Sequence, residues 1–295
     1  MRILFISPNR VGDAVLTCGV LDHLIRTYAG CRVTVACGPV AAGVFERMPN
    51  RERTILVVKR RFDRHWLTLW RQVVGTLWDL VVDMRGSLLA YFVPTRRRAI
   101  YRRLAGPMSV QYAAALGLVP APLPVAWMAP ADRARAATLL PHGRSVLALG
   151  ATANWAPKVW LAGRFAALAG QLGEGPLPGL VPAVFAGPGE AEWQMAAPLL
   201  EALPGAIDLR GTLSIAEAAA CIERCALFVG NDSGLMHLAA ATGTPTVGLC
   251  GTTMDRADEM LPTGRRATWA MAPSASMESL SVEMAYAACI RILAS

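Results

Sequence analysis

Three groups of small polar and ionisable residues stand where apolar runs end, and their types suit the handling of a phosphorylated substrate. The longest is Asn231, Asp232, Ser233 and Gly234, with His237 one helical turn beyond Ser233. The surrounding ALFVGNDSGLMHLAAATG passes from a strand-like run into a helix whose first N–H groups have no partner within the helix, so Asn231, Asp232 and Ser233 can each act as a cap. One cap needs one residue, and three are present. His237 shares the helical face of Ser233 and serves either packing or ligand binding. A second turn, GTT at 251–253 and including Thr252, follows the next apolar run. Two turns rich in N–H and hydroxyl donors suit a sugar diphosphate.

The second group is GATANWAPKVWLAGRF. Lys59 and Lys158 are the only lysines among 29 basic residues, and Lys158 stands just ahead of a predicted helix. An ammonium there is electrostatically unfavourable unless an anion joins it, which points to a phosphate. The third group is PNRVGDAVLT, after the first strand. Gly12 permits a tight turn; Asp13 acts either as an N-cap or as a general base. This turn lacks the G-x-G-x-x-G dinucleotide fingerprint. No His or carboxylate cluster has metal-ligand spacing and no G-x-S-x-G elbow occurs, so neither a metal nor a serine nucleophile is expected.

The elements that must position these residues read as alternating strands and helices. RILFIS (2–7), RVTVAC (32–37), TILVV (54–58) and LVVDM (80–84) are apolar on both faces, with helices predicted over 13–28 and 39–48. A proline-rich, extended stretch then leads to the short helix ADRARAATLL. After residue 142 the alternation restarts with strands at 145–151, 180–187, 206–210, 226–230 and 245–251 and helices between them. Strands apolar on both faces imply parallel sheets covered by helices on each side. The restart implies two α/β domains facing each other, with ligands outside the carboxyl ends of the strands.

The composition narrows the class. With 295 residues, two domains are expected. The chain is 54% hydrophobic, yet no window holds the roughly 18 apolar residues of a spanning helix. Its N-terminus reads as a strand, so a soluble cytoplasmic protein with an affinity for membrane surfaces is expected. Seven cysteines without C-x-x-C spacing predict buried, reduced thiols. The net charge of +8 is concentrated in KRRFDR (59–64) and TRRRAIYRR (95–103). Arg60, Arg61, Arg64, Arg96, Arg97 and Arg98 are therefore either solvated loop charge or a site for an anionic partner. The basic residues do not form a nucleic-acid-binding pattern, and no obligate protein partner is evident.

Taken together, GDAVLT at 12–17, the Lys158-x-Trp160 pair with GRFAALA behind it, and GNDSGLMHLAAATGTPTVGLCGTT resemble the ADP-heptose:lipopolysaccharide heptosyltransferase family, glycosyltransferase family 9. The resemblance implies a GT-B fold: two Rossmann-like doubly wound parallel-sheet domains, 1–142 and 143–275, facing a central cleft, with a last helix (276–295) packing back toward the first. It implies an inverting, metal-independent transfer from an ADP-sugar co-substrate, with no cofactor. Asp13 matches the family's base and Lys158 the lysine that meets the donor diphosphate. Asp232, Ser233, Gly234 and His237 match its D-[ST]-G-x-x-H donor segment, and Gly12, Asn231 and Thr252 are expected to join them in binding the donor. Glu190 is expected to match a ribose carboxylate. The implied acceptor is an anionic inner-core glycolipid on the cytoplasmic face of the inner membrane, met by the arginines above. A nucleotide-sugar epimerase on the same scaffold, or a non-catalytic nucleotide-sugar-binding relative, is the alternative.

Overall fold

The computed structural model describes residues 1–59, 61–251, 259–274 and 276–295. The chain divides into two compact units, Met1–Trp127 and Met128–Ser295.

The first unit contains β1 (Arg2–Ile6), α1 (Val11–Thr27), β2 (Arg32–Cys37), β3 (Arg51–Leu56), α2 (Arg64–Val73), β4 (Trp78–Asp83), β5 (Thr95–Ile100) and α3 (Met108–Ala114). Its strands are all parallel, in the order β3-β2-β1-β4-β5. Ile3, Leu4, Phe5 and Ile6 are fully buried, as a central strand covered on both faces requires. One cluster joins Leu4, Ile6 and Val81 of the sheet to Leu69 and Val73 of α2. The proline-rich stretch runs directly over α1 at Gly19, where an added Cβ would lie 2.5 Å from the carbonyl oxygens of Pro122 and Leu123.

The second unit contains α4 (Pro130–Leu139), β6 (Val146–Gly150), α5 (Ala162–Glu174), β7 (Val181–Phe185), α6 (Glu190–Ala202), β8 (Ile207–Asp208), α7 (Ile215–Glu223), β9 (Leu227–Asn231), α8 (Gly234–Thr242), β10 (Thr246–Cys250), β11 (Ala267–Met271) and α9 (Val282–Leu293). Its parallel order is β11-β10-β9-β6-β7-β8, the doubly wound order whose reversal falls between β6 and β9. Successive side chains of β6 separate into two cores. Leu147 and Leu149 pack with Phe165 and Leu168 of α5 and with Ala285 and Cys289 of α9. Val146 and Ala148 pack with Ala136 of α4, Ile222 of α7 and Met236 of α8.

Packing fixes several details within the two units. The division falls at Trp127, not at 142, because α4 is fastened to α7 by the Ala136 and Leu140 core contacts and by Arg133, whose guanidinium holds both carboxylate oxygens of Glu223 at 2.7 and 3.0 Å. The final helix is built into the core of the second unit on α5, β10 and β11. Residues 39–45 form a 3-10 turn where an α-helix was expected. The basic run at 95–100 is an edge strand with Arg96, Arg97 and Arg98 exposed, a placement that discourages sheet-edge pairing with other chains. All seven cysteines are buried and unpaired, as expected. No helix among the described residues is long and apolar enough to cross a membrane.

Candidate active site

The residues that could do chemistry in the second unit gather where its strand order reverses. Gly150 ends β6 and pairs in register with Gly230 of β9. Both must be glycine: a Cβ on either would enter the ring of buried Phe228 at 2.7–2.8 Å, and one on Gly230 would also lie 2.9 Å from the Gly150 carbonyl oxygen. The close approach brings the chain leaving β6 beside the chain leaving β9.

Asn231 then ties the two together. Fully buried, it donates through Nδ2 to the Ala151 carbonyl at 2.8 Å and accepts through Oδ1 from the Trp160 N–H at 3.1 Å. Trp160 is held in turn by its indole N–H on the Leu280 carbonyl at 2.8 Å and by the edge of Phe165. The segment carrying Lys158 is thus anchored on both sides. Asn231, expected among the donor-binding residues, has both ends of its amide engaged inside the protein.

Lys158 closes the 3-10 turn Ala156–Lys158, and α5 begins only at Ala162. Its Nζ reaches Asp232 Oδ2 at 2.5 Å, with both side chains largely buried. The anion that the sequence reading demanded beside this ammonium is therefore present in the protein itself. Ser233 occupies the N-cap position of α8, but its hydroxyl makes no capping bond. Among the described residues, Ser233 Oγ and His237 Nδ1 are buried polar atoms without a hydrogen-bond partner. None of the three supposed caps caps the helix: one braces, one pairs with Lys158, and one is left open. Burial pushes the His237 pKa below its ordinary value; Asp232 opposes that shift and Lys158 reinforces it. The imidazole is consequently neutral near pH 7 and can both donate and accept. An ammonium, open hydroxyl, open imidazole and free first-turn N–H groups of α8 form a site with capacity for anionic and hydroxylated ligands.

Glu190 is exposed and accepts from Gln194 Nε2 at 2.8 Å, one turn along α6. Two residues on, Glu192 bends back to accept the Gly187 N–H at 3.3 Å. Thr252 lies outside the described residues.

In the first unit, the N-cap of α1 is Arg10, and Gly12 and Asp13 are already inside the first turn. Asp13 is therefore no N-cap, and its carboxylate is half-buried where β1 gives way to α1. It is close enough to raise the pKa of the Tyr112 phenol, a shift dominated by burial. A neighbouring cluster escaped the sequence reading. Asp83, fully buried at the end of β4, accepts from the N–H groups of Arg85 and Ser87 and from Ser87 Oγ. Arg85 in turn reaches Asn9 Oδ1 at 3.2 Å. Burial raises the Asp83 pKa, against the opposing pull of the Ser87 and Arg85 hydrogen bonds and the Arg85 charge. The signal was a carboxylate closing the apolar run LVVD.

Of the basic candidates, Arg61 and Arg64 line one groove of about 500 Å³. Arg96 lies 3.7 Å from Asp79, and Arg98 donates to the Ala90 carbonyl at 3.2 Å. Arg97 is exposed, and Arg60 lies outside the described residues.

Two doubly wound parallel sheets, the second with a Lys158–Asp232–His237 cluster at its reversal point, give the chain the GT-B fold. The glycosyltransferase family 9 (heptosyltransferase) model matches residues 107–286. The protein belongs to that family. It is 26% identical over 296 aligned positions to lipooligosaccharide heptosyltransferase 2 of Haemophilus influenzae, covering 86% of this chain and 84% of that one. Among solved structures it is similar to a glycosyltransferase family 9 protein of Veillonella parvula, with 20% identity, a TM-score of 0.84, and coverage of 99% of this chain and 97% of that one. It is also similar to the E. coli ADP-heptose LPS heptosyltransferase II, with 21% identity, a TM-score of 0.77, and coverage of 100% and 99%.

Proposed function

We propose that this glycosyltransferase moves heptose from an ADP-sugar onto a lipopolysaccharide inner-core acceptor at a membrane surface, with inversion and without a metal. The observation that carries the reading is the Lys158–Asp232 pair beside the open Ser233 hydroxyl and the open His237 imidazole. The diphosphate of the donor takes up Lys158 and the N-terminus of α8, while Ser233 and His237 meet its oxygens or the sugar hydroxyls. An acceptor hydroxyl attacks the anomeric carbon and forms the new C–O bond. The bond from that carbon to the phosphate oxygen breaks, and its electron pair leaves with ADP. The hydroxyl proton passes to the Asp13 carboxylate. Charge grows on the leaving diphosphate, so preorganised positive groups stabilise the transition state more than the ground state. The names of the Haemophilus and E. coli relatives support the sugar and the acceptor class.

The test is a thermal-shift panel of ADP-, UDP- and GDP-sugars on the intact chain, followed by transfer assays. Stabilisation by ADP-heptose above the others is expected; a donor at about 100 times its Kd adds about 2.7 kcal/mol. Selective stabilisation by UDP- or GDP-sugars would overturn the donor assignment. Asp13→Asn is expected to lower turnover about 10²–10⁴-fold with donor affinity unchanged. Full turnover in that variant would remove Asp13 from the mechanism.

A further inference from the structure

In the first unit, α2 (RHWLTLWRQV) and the 3-10 turn Leu88–Tyr91 leave an apolar face uncovered. His65, Leu69 and Val73 bury one stripe of α2, while Leu67 on another stripe is 47% exposed. Across from it, Leu88 is 73% and Phe92 67% exposed. These residues, with half-buried Trp66 and Trp70, line a groove of about 730 Å³. The groove is rigidly floored: the Trp70 indole donates to the Phe92 carbonyl at 2.9 Å, and the Arg85 guanidinium lies over the Trp66 ring at 4.6 Å. Leu67 also borders the adjoining groove with Arg61, Arg64 and Arg71, so the apolar and basic surfaces are continuous. Just before α2, Phe62 is 79% exposed with φ near 56°, and Asp63 follows at 53°. Two successive left-handed non-glycine residues are costly, and such strain recurs where function needs a side chain presented.

The charges on this face are one-sided. Among the described residues of 55–73 and 85–93 stand Lys59, Arg61, Arg64, Arg71 and Arg85 against one carboxylate, Asp63. A large apolar patch on a folded protein marks an interaction surface. An apolar helix face with tryptophan, flanked by arginine, is the chemistry of an interfacial helix on an anionic membrane. We propose that α2 and the 88–92 segment dock flat on an anionic phospholipid bilayer. Leu67, Leu88 and Phe92 enter the headgroup–acyl boundary, and Arg61, Arg64 and Arg71 meet lipid phosphates. This deepens, and for its biological setting rests on, the membrane-surface reading above; it assigns the face through which that contact is made.

The test is flotation of the intact chain with vesicles of phosphatidylcholine alone or mixed with phosphatidylglycerol, with no sugar substrate present. Wild-type protein is expected to float with the mixed vesicles and to dissociate as salt rises. Arg71→Gln weakens binding roughly fivefold, and Leu67→Gln/Phe92→Ser weakens it at least tenfold. Both variants keep the wild-type melting transition and the wild-type thermal shift with ADP, which report folding of the chain and of its donor residues. Failure of the wild type to bind any vesicle overturns the membrane-surface reading together with this face. Wild-type binding that the variants retain overturns this face alone. If the variants keep vesicle binding but turn a dimer into a monomer by light scattering, the patch joins two copies and the proposal fails.

Discussion

Lys158 and Asp232 cannot be replaced independently, because each is the neutralising partner of the other in a largely buried setting. Removing one partner of a buried pair leaves an uncompensated charge and costs about 3–5 kcal/mol. Lys158→Ala is therefore expected to lose stability as well as donor affinity. Lys158→Met/Asp232→Asn separates the two effects: thermal denaturation should show stability largely restored, and titration with ADP should show donor binding still lost. A double variant that recovers ADP binding would mean that the ammonium does not hold the diphosphate. His237 sets a pH dependence at the same scale. Its native pKa lies below the unfolded value of about 6.5. The folded state then binds fewer protons than the unfolded state between those two values. The stability His237 contributes is fully present above about pH 6.5 and is lost as pH falls toward the native pKa. Subtracting the melting profile of His237→Gln from that of the wild type should show a difference that shrinks on acidification from pH 7 to 5. A flat difference would contradict burial as the cause.

At the scale of elements, the site depends on the chain leaving β6 being fixed to the end of β9. Gly150 and Gly230 permit the approach, and Asn231 spans it. Asn231→Ala leaves the buried Trp160 N–H and Ala151 carbonyl without that partner, each costing about 1–3 kcal/mol. Because Trp160 is two residues from Lys158, the loss also loosens the ammonium. Steady-state kinetics on Asn231→Ala should show KM for the donor rising at least tenfold, with KM for the acceptor little changed. Equal changes in both would reduce Asn231 to a purely structural residue. Such a cross-tie explains why the side chain just before Asp232 is turned inward: ligand-binding loops are precise only where their backbone polar groups are satisfied.

For the whole molecule, the position of α4 decides what constitutes a unit. Ala136 and Leu140 are buried in one core of the second unit, and Arg133 holds Glu223 of α7. A chain beginning at Met128 should unfold in a single cooperative thermal transition. One beginning at Gly143 loses those buried side chains and uncovers α7. By deletion of a buried leucine alone it should be weaker by about 2–5 kcal/mol, read as a lower denaturant midpoint. Equal midpoints for the two fragments would place α4 outside the folding unit.

Local chemistry was sufficient for much of this protein. Alternating apolar runs and helical periodicity determined two α/β units with parallel sheets, since strands buried on both faces demand helices on each side. Residue type after apolar strands singled out Lys158, Asp232, Ser233 and His237, and folding brings Lys158 onto Asp232 beside the other two. The edge strands Thr95–Ile100 and Ala267–Met271 were not legible: arginine or scattered alanine replaces the apolar run, and only pairing with β4 and β10 makes them strands. Helix α2 escaped because its apolar residues serve both a buried stripe and an exposed patch. Tertiary structure alone decided the division of labour inside Asn231-Asp232-Ser233. Spacing cannot tell a brace from a ligand, since each role depends on the partner that folding brings from far along the chain, 80 residues where Ala151 meets Asn231 and 74 where Lys158 meets Asp232.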